Sequence, residues 1–233
     1  MANHRVLFVL TGHQELGDTG EKTGFHLSEA AYPWRVLREA GFRVDFATPE
    51  GGPAPVDPGS EDLEDHTNKA FLSDPGVADQ IKATPAVGSL DLTKYSALYF
   101  PGGHGTMWDL PDSSAVQDAV REMAEAGKVV GAVCHGPAAF VNVKLSDGSW
   151  FVDGKRLSTF TDEEEKAVEK ADIVPFMLAS KLQARGAIHE KADNFAKSVT
   201  VDGNLVTGQN PASAQGVGEA IRDRILAQAS AAD

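Results

Sequence analysis

The chain has 233 residues, 42% of them hydrophobic, enough for a sizeable core without metal or disulfide staples. Its net charge of −13 repels phosphate backbones and argues against nucleic acid as a partner, while its single cysteine rules out an internal disulfide and fits a reducing, cytoplasmic setting. No apolar run reaches the roughly 18 residues that a membrane-spanning helix needs, so no membrane partner is expected.

The opening "MANHRVLFVL" lacks a signal-peptide layout and reads as a first strand over residues 5–10. "EAAYPWRVLREAG" then carries apolar residues at helical spacing and stops at Gly41. Proline is tolerated in the first turn of a helix, so Pro33 predicts regular helix from about Tyr32. "FRVDFAT" (residues 42–48) alternates like a strand. Residues 51–89 are rich in Pro, Asp and Gly with short helical pieces, and read as surface loops or a lid. "ALYFPGG" (residues 97–103) is a third strand running into a glycine turn. "SSAVQDAVREMAEAG" is a helix with a serine cap and a glycine stop. "KVVGAV" (residues 128–133) has the continuous apolar character of a buried parallel strand. Beyond Phe140, Asp153-Gly154 and Asp202-Gly203 each predict a hairpin, and a final helix follows Pro211. The βαβα rhythm predicts an α/β fold in one domain over residues 1–233. Its sheet is doubly wound and mostly parallel, flavodoxin-like, with helices on both faces and small hairpin insertions.

The only thiol, Cys134, lies in "VVGAVCHGPAAF", directly after a strand and before an expected helix. Doubly wound sheets place their chemistry beyond the carboxyl ends of their strands. A cysteine on such an elbow projects into the crevice, the following helix favours its thiolate, and nearby N–H groups point where an oxyanion forms. His135 stands directly behind it. The turn "PGGHG" exposes further N–H groups, making Gly102 and Gly103, with His104 beside them, candidates for substrate or oxyanion contacts. Two sets of carboxylates stand out: Glu29 near the end of the first strand, and Asp162, Glu163, Glu164 and Glu165 after a capping Thr161.

"AVCHGPAAF", "FPGGHGTMWDL", "EKTGFHLSEAAYPW", "STFTDEEE" and "VTGQNPASA" together resemble the ThiJ/PfpI (class I glutamine amidotransferase-like) superfamily, in particular its branch of glutathione-independent glyoxalases (glyoxalase III) and heat-shock chaperones. The resemblance runs from Arg5 to about Leu226. It implies that Cys134 is the nucleophile, His135 its partner, and Glu165 the residue orienting His135, preferred over Glu164 from the spacing of the motif. It also implies that Glu29 shares a proton with the sulfur, and that the N–H groups of Gly103 and His135 form an oxyanion hole. The implied reaction turns a small α-oxoaldehyde such as methylglyoxal into lactate through a cysteine hemithioacetal, without cofactor or metal. Rival readings keep the site as a hydrolase, deglycase or peptidase, or make the chain a holdase chaperone or redox sensor. Glutamine amidotransfer fits poorly, because His189-Glu190 lacks the expected one-residue spacing, and His189 reads as a surface residue. Homodimerisation is common in the family, but no interface is legible in the sequence.

Overall fold

The first half of the chain builds most of the sheet. β1 (Arg5–Val9), α1 (Leu27–Glu39) and β2 (Arg43–Ala47) are followed by α2 (His66–Ser73), α3 (Pro75–Lys82) and β3 (Ala97–Phe100). Next come α4 (Thr106–Asp109), α5 (Ser114–Glu125), β4 (Val129–Val133), β5 (Arg156–Leu157), α6 (Asp162–Ala167) and α7 (Leu178–Ala184). The chain ends with β6 (Ile188–His189), β7 (Val199–Asp202), β8 (Leu205–Gly208) and α8 (Ala214–Ala232). This computed structural model describes residues 4–232. No helix among them is long and apolar enough to cross a membrane.

Six strands form one sheet in the order β2-β1-β3-β4-β8-β7, parallel except for the antiparallel edge strand β7. The doubly wound, mostly parallel sheet is as expected. Side chains alternate across it. Leu7, Val9, Leu98, Phe100 and Val130 pack on the face that α5 covers with Val116, Val120 and Met123. Val6, Phe8, Tyr99, Val129 and Val133 pack on the face that α1 and α8 cover. The chain winds outward from β1 in both directions, so a crevice opens where β1 and β3 carry their connections apart.

Two local expectations are corrected. α1 begins at Leu27, so Pro33 lies inside it and Glu29 is part of the helix. Pro33 has no N–H to give the Glu29 carbonyl four residues back, and the Tyr99 hydroxyl donates to that carbonyl instead, at 2.7 Å. Asp153-Gly154 makes a turn, with Gly154 at φ +71, but closes no hairpin. β5, which follows it, pairs in parallel with the distant β6, so a non-local partner takes the strand. The other hairpin forms as read, with Asp202 opposite Leu205 and Gly203 at φ +59.

Candidate active site

Cys134 follows β4 in the left-handed region, at φ +59. A non-glycine residue there costs on the order of 1–3 kcal/mol and persists only when its surroundings hold it. Its N–H donates to the Gly208 carbonyl at 2.9 Å, and its carbonyl accepts from Phe160 N–H at 3.0 Å and the Thr159 hydroxyl at 2.8 Å. Gly136 closes the elbow: a Cβ there would lie 2.1 Å from the Phe100 carbonyl oxygen. A short 3-10 helix, Gly136–Phe140, follows instead of the expected α-helix. Such a piece aligns few peptide dipoles and offers the sulfur little help.

His135 turns its ring back toward the sulfur, with Nδ1 3.3 Å from Sγ and Nε2 2.6 Å from Glu165 Oε2. A carboxylate can only accept, so Nε2 carries the ring hydrogen and Nδ1 is left to accept from the thiol. His104 Nε2 donates to the other Glu165 oxygen at 2.7 Å, and the two imidazoles stack obliquely at 4.1 Å. His104 thus joins the proton network while also lining the cavity beside Gly103 and Cys134.

The choice between neighbouring glutamates is made by α6. Thr161 caps it, and Glu164 completes the box by accepting from Thr161 N–H at 2.9 Å. The other Glu164 oxygen takes Phe195 N–H at 2.7 Å, Gln209 at 3.0 Å and Asn210 at 2.9 Å. Glu164 is therefore spent on holding loops, and Glu165 faces the imidazoles. Burial alone would raise Glu165, but the adjacent His135 and His104 outweigh it and hold its carboxyl well below the usual range.

Glu29 is the second carboxyl that acts on the sulfur. Gly102 N–H donates to its Oε2 at 2.7 Å, which removes Gly102 from the expected set of oxyanion donors. Its Oε1 is buried with no hydrogen-bond partner among the described residues. Burial pushes the Glu29 carboxyl up to about 8, against the lowering effect of Cys134 and Gly102. Burial likewise pushes the Cys134 thiol well above its ordinary value, and Glu29 adds to this. Both shifts favour the protonated form of each group, against the pull toward a thiolate expected of the elbow.

Gly103 and His135 N–H donate to nothing among the described residues. The Thr106 hydroxyl lies 2.8 Å from the Gly103 carbonyl and 3.0 Å from the His135 carbonyl, pinning the two turns together. Gly103 has φ +101, and a Cβ there would strike the Gly24 carbonyl at 2.3 Å. These groups open on a cavity of about 270 Å³ that also exposes His26, Asp57, Lys170 and the rings of Phe160 and Phe195. Sequence reasoning missed those five. His26 stands at the start of the conspicuous "HLSEAAYPW" and could have been flagged; burial lowers it to about 4. The remaining four come from loops without periodicity. His189 does not line the cavity and is half-buried in β6.

The DJ-1/PfpI family pattern matches residues 21–223. The chain belongs to the DJ-1/PfpI family. Glyoxalase 3 of Candida albicans is 31% identical over 226 residues, which cover 90% of this chain and 93% of that protein. Glutathione-independent glyoxalase HSP31 of Saccharomyces cerevisiae is 32% identical over 236 residues, covering 92% and 94%. The X-ray structure of Francisella tularensis Rapid Encystment Protein 24 kDa superposes with a TM-score of 0.92 at 35% identity, covering 95% of this chain and 99% of that one.

One further grouping in this DJ-1/PfpI protein bears on metal binding. Potential ligand atoms of His104, His135 and Glu165 lie within 4.8 Å of one another. The nearest nitrogens and oxygens of that set are already engaged with each other at 2.6 and 2.7 Å. An ion seated among those atoms would have to replace both hydrogen bonds.

Proposed function

We infer that this DJ-1/PfpI protein is a glutathione-independent glyoxalase of the glyoxalase III type, converting methylglyoxal or a similar α-oxoaldehyde to lactate. One observation carries the reading: a buried thiol has an imidazole that can take its proton and, acting on the same sulfur, a carboxyl whose raised value favours keeping one. Small dicarbonyl chemistry needs both groups, because a proton must leave one carbon and return to the next.

The sequence of steps follows from those positions. Cys134 passes its proton to His135 Nδ1 as Sγ bonds the aldehyde carbon, and Glu29 gives its proton to the carbonyl oxygen. Gly103 and His135 N–H steady the developing charge. Glu29, now a carboxylate, takes the hydrogen from the former aldehyde carbon. The enediolate that results receives that proton on the neighbouring carbon, while the hydroxyl proton moves to the neighbouring oxygen. A lactyl thioester remains: one carbon has been oxidised, the next reduced, and no electrons have left the pair. Water then cleaves the C–S bond. Its oxygen goes to the carbonyl carbon, His135 returns its proton to sulfur, and a proton from water restores Glu29.

A redox-sensor role is disfavoured, since oxidation follows thiolate character and access, and Cys134 is 3% exposed with its thiol pushed up by burial and by Glu29. A holdase needs an exposed apolar patch, and the three tryptophans are engaged elsewhere. Trp34 is buried, Trp108 stacks on His13, and Arg185 sits over Trp150 at 3.8 Å. The reading extends to a cytoplasmic enzyme, supported by the lone cysteine. Lactate measured from purified protein and methylglyoxal tests it. Wild type should form lactate and Cys134→Ala should lose it by at least about a thousandfold. Lactate formation that survives Cys134→Ala would overturn the mechanism.

A further inference from the structure

The cavity is larger than methylglyoxal requires. At about 270 Å³ it approaches the range of small-molecule sites, roughly 300–1,000 Å³. Beyond the reacting groups its wall is apolar on one side: Phe160 lies 4.5 Å from the His135 ring, and Val168, Phe195 and Pro211 continue the surface outward. Phe195 is 50% exposed and held at φ +62, an unfavourable backbone for a bulky residue. Glu164 fixes it there by accepting its N–H at 2.7 Å. A half-exposed ring held in place at a cavity rim suits an apolar ligand better than it suits water.

The same wall carries a cation. Just past α6, Glu169 takes φ +58, and the turn brings Lys170 N–H back to the Glu165 carbonyl at 3.1 Å. Val168 and Lys170, on either side of that turn, both line the cavity. In this chain of net charge −13, Lys22, Lys94 and Lys191 pair with carboxylates, and Lys128 bonds backbone carbonyls. Lys170, like Lys69, Lys82, Lys155, Lys166 and Lys197, forms no ion pair or side-chain hydrogen bond among the described residues, and of these it is the one that lines the cavity. Its charge reaches the reacting groups: after burial and His135, it helps lower His104, against the pull of Glu165. The acidic group across the cavity, Asp57, is already engaged by the Thr23 hydroxyl at 2.8 Å and by Gly59 N–H at 2.8 Å.

We propose that the preferred substrates are α-oxoaldehydes whose ketone carbon bears an apolar body ending in an anionic group. The dicarbonyl end meets Cys134, the body lies along Phe160, Val168 and Phe195, and Lys170 pairs with the anion. This rests on the glyoxalase reading and names the substrate class of the same site. Lys170 is a specificity residue and takes no part in bond making.

A matched pair of probes isolates the charge: phenylglyoxal and 4-carboxyphenylglyoxal, with formation of the corresponding mandelates followed alongside lactate from methylglyoxal. Wild type should favour the carboxylated probe by about tenfold in kcat/KM, mostly through KM, and added salt of about 0.5 M should erode the preference. Lys170→Met should abolish the preference, whereas Lys166→Met, an exposed lysine on α6, should leave it intact. If wild type processes both probes equally, or Lys170→Met keeps the preference, the inference fails while the glyoxalase reading stands. If wild type turns over none of the three aldehydes, that reading fails and takes the inference with it.

Discussion

Two glutamates serve the Cys134 site, one beside the sulfur and one behind His135, and their surroundings shift them in opposite directions. Glu29, on α1, is fully buried, and Glu165, on α6, is 2% exposed. Glu29 has one N–H donor and one empty oxygen, so burial dominates and raises it to about 8. Glu165 has an imidazole on each oxygen, and these overcome the same burial. Depth in the protein therefore does not set a carboxyl's role; the donors it meets there do. One glutamate stores a proton, and the other keeps an imidazole oriented to receive one.

The largest expected break in this contrast is Glu29→Gln. It keeps the size and the bond from Gly102 but cannot store or move a proton, so lactate formation should fall by about 10³-fold in kcat. Because Glu29 must start protonated, wild-type kcat/KM should decline as pH rises through about 8, and that limb should vanish in the variant. A variant with wild-type turnover would remove Glu29 from the mechanism. Glu165→Gln should cost less, about 10²-fold in kcat. A neutral amide can still hold the ring but no longer fixes which nitrogen of His135 carries the hydrogen. Initial rates across about pH 6 to pH 9 would read both effects.

The same pair sharpens the contrast in stability, with opposite signs. Glu29 binds its proton more tightly folded than unfolded, so its burial costs stability as pH rises above about 4.5 and up to about 8. At pH 7 the cost is about 3 kcal/mol, from roughly 1.4 kcal/mol per pH unit. Glu29→Gln should therefore raise Tm by roughly 5–10 °C near neutral pH. Glu165 is the reverse case: its depressed value adds stability above about 4.5 that is lost as pH falls below it. Glu165→Gln should lower Tm at neutral pH. The Glu29 difference should close on acidification toward about pH 4, where that carboxyl is protonated folded and unfolded alike, whereas the Glu165 difference should persist there and shrink only at lower pH, because its depressed carboxyl stays ionised in the folded protein. Thermal unfolding at several pH values checks this, and shifts of the same sign would break the comparison.

The legibility of the two regions also differs. The sheet could be read because each buried strand is a compact apolar run, and "PGGHG" and "VCHG" could be placed at strand ends because glycines mark backbone that crowds other backbone. The α6 side could be read only through the resemblance. Glu164 and Glu165 are neighbours in a run of three glutamates, and their division of labour depends on Gln209, Asn210 and Phe195, which approach from far along the chain. Lys170 and Phe195 gave no signal because the left-handed turn at Glu169 and the φ of Phe195 itself are set by tertiary contacts. Asp153-Gly154 misled for a related reason: a turn sequence fixes local backbone but not which strand pairs next.

The smallest effect concerns how Glu29 is held. Pro33 would ordinarily break α1, and the misplaced helix start came from that rule. The rule assumes that the freed carbonyl stays unsatisfied, whereas here the Tyr99 hydroxyl, from the middle of the sheet, donates to it. Glu29 is thus anchored at both ends, by Tyr99 at its backbone and by Gly102 at its carboxyl. Tyr99→Phe should cost about 1–2 kcal/mol, the penalty for leaving a buried carbonyl unpaired. Pro33→Ala restores an N–H within the helix, so in that background the same Tyr99→Phe change should cost clearly less. Denaturant unfolding of the four proteins gives the coupling directly. A Tyr99→Phe penalty that is the same with and without Pro33 would show that the hydroxyl does not replace the missing helix bond.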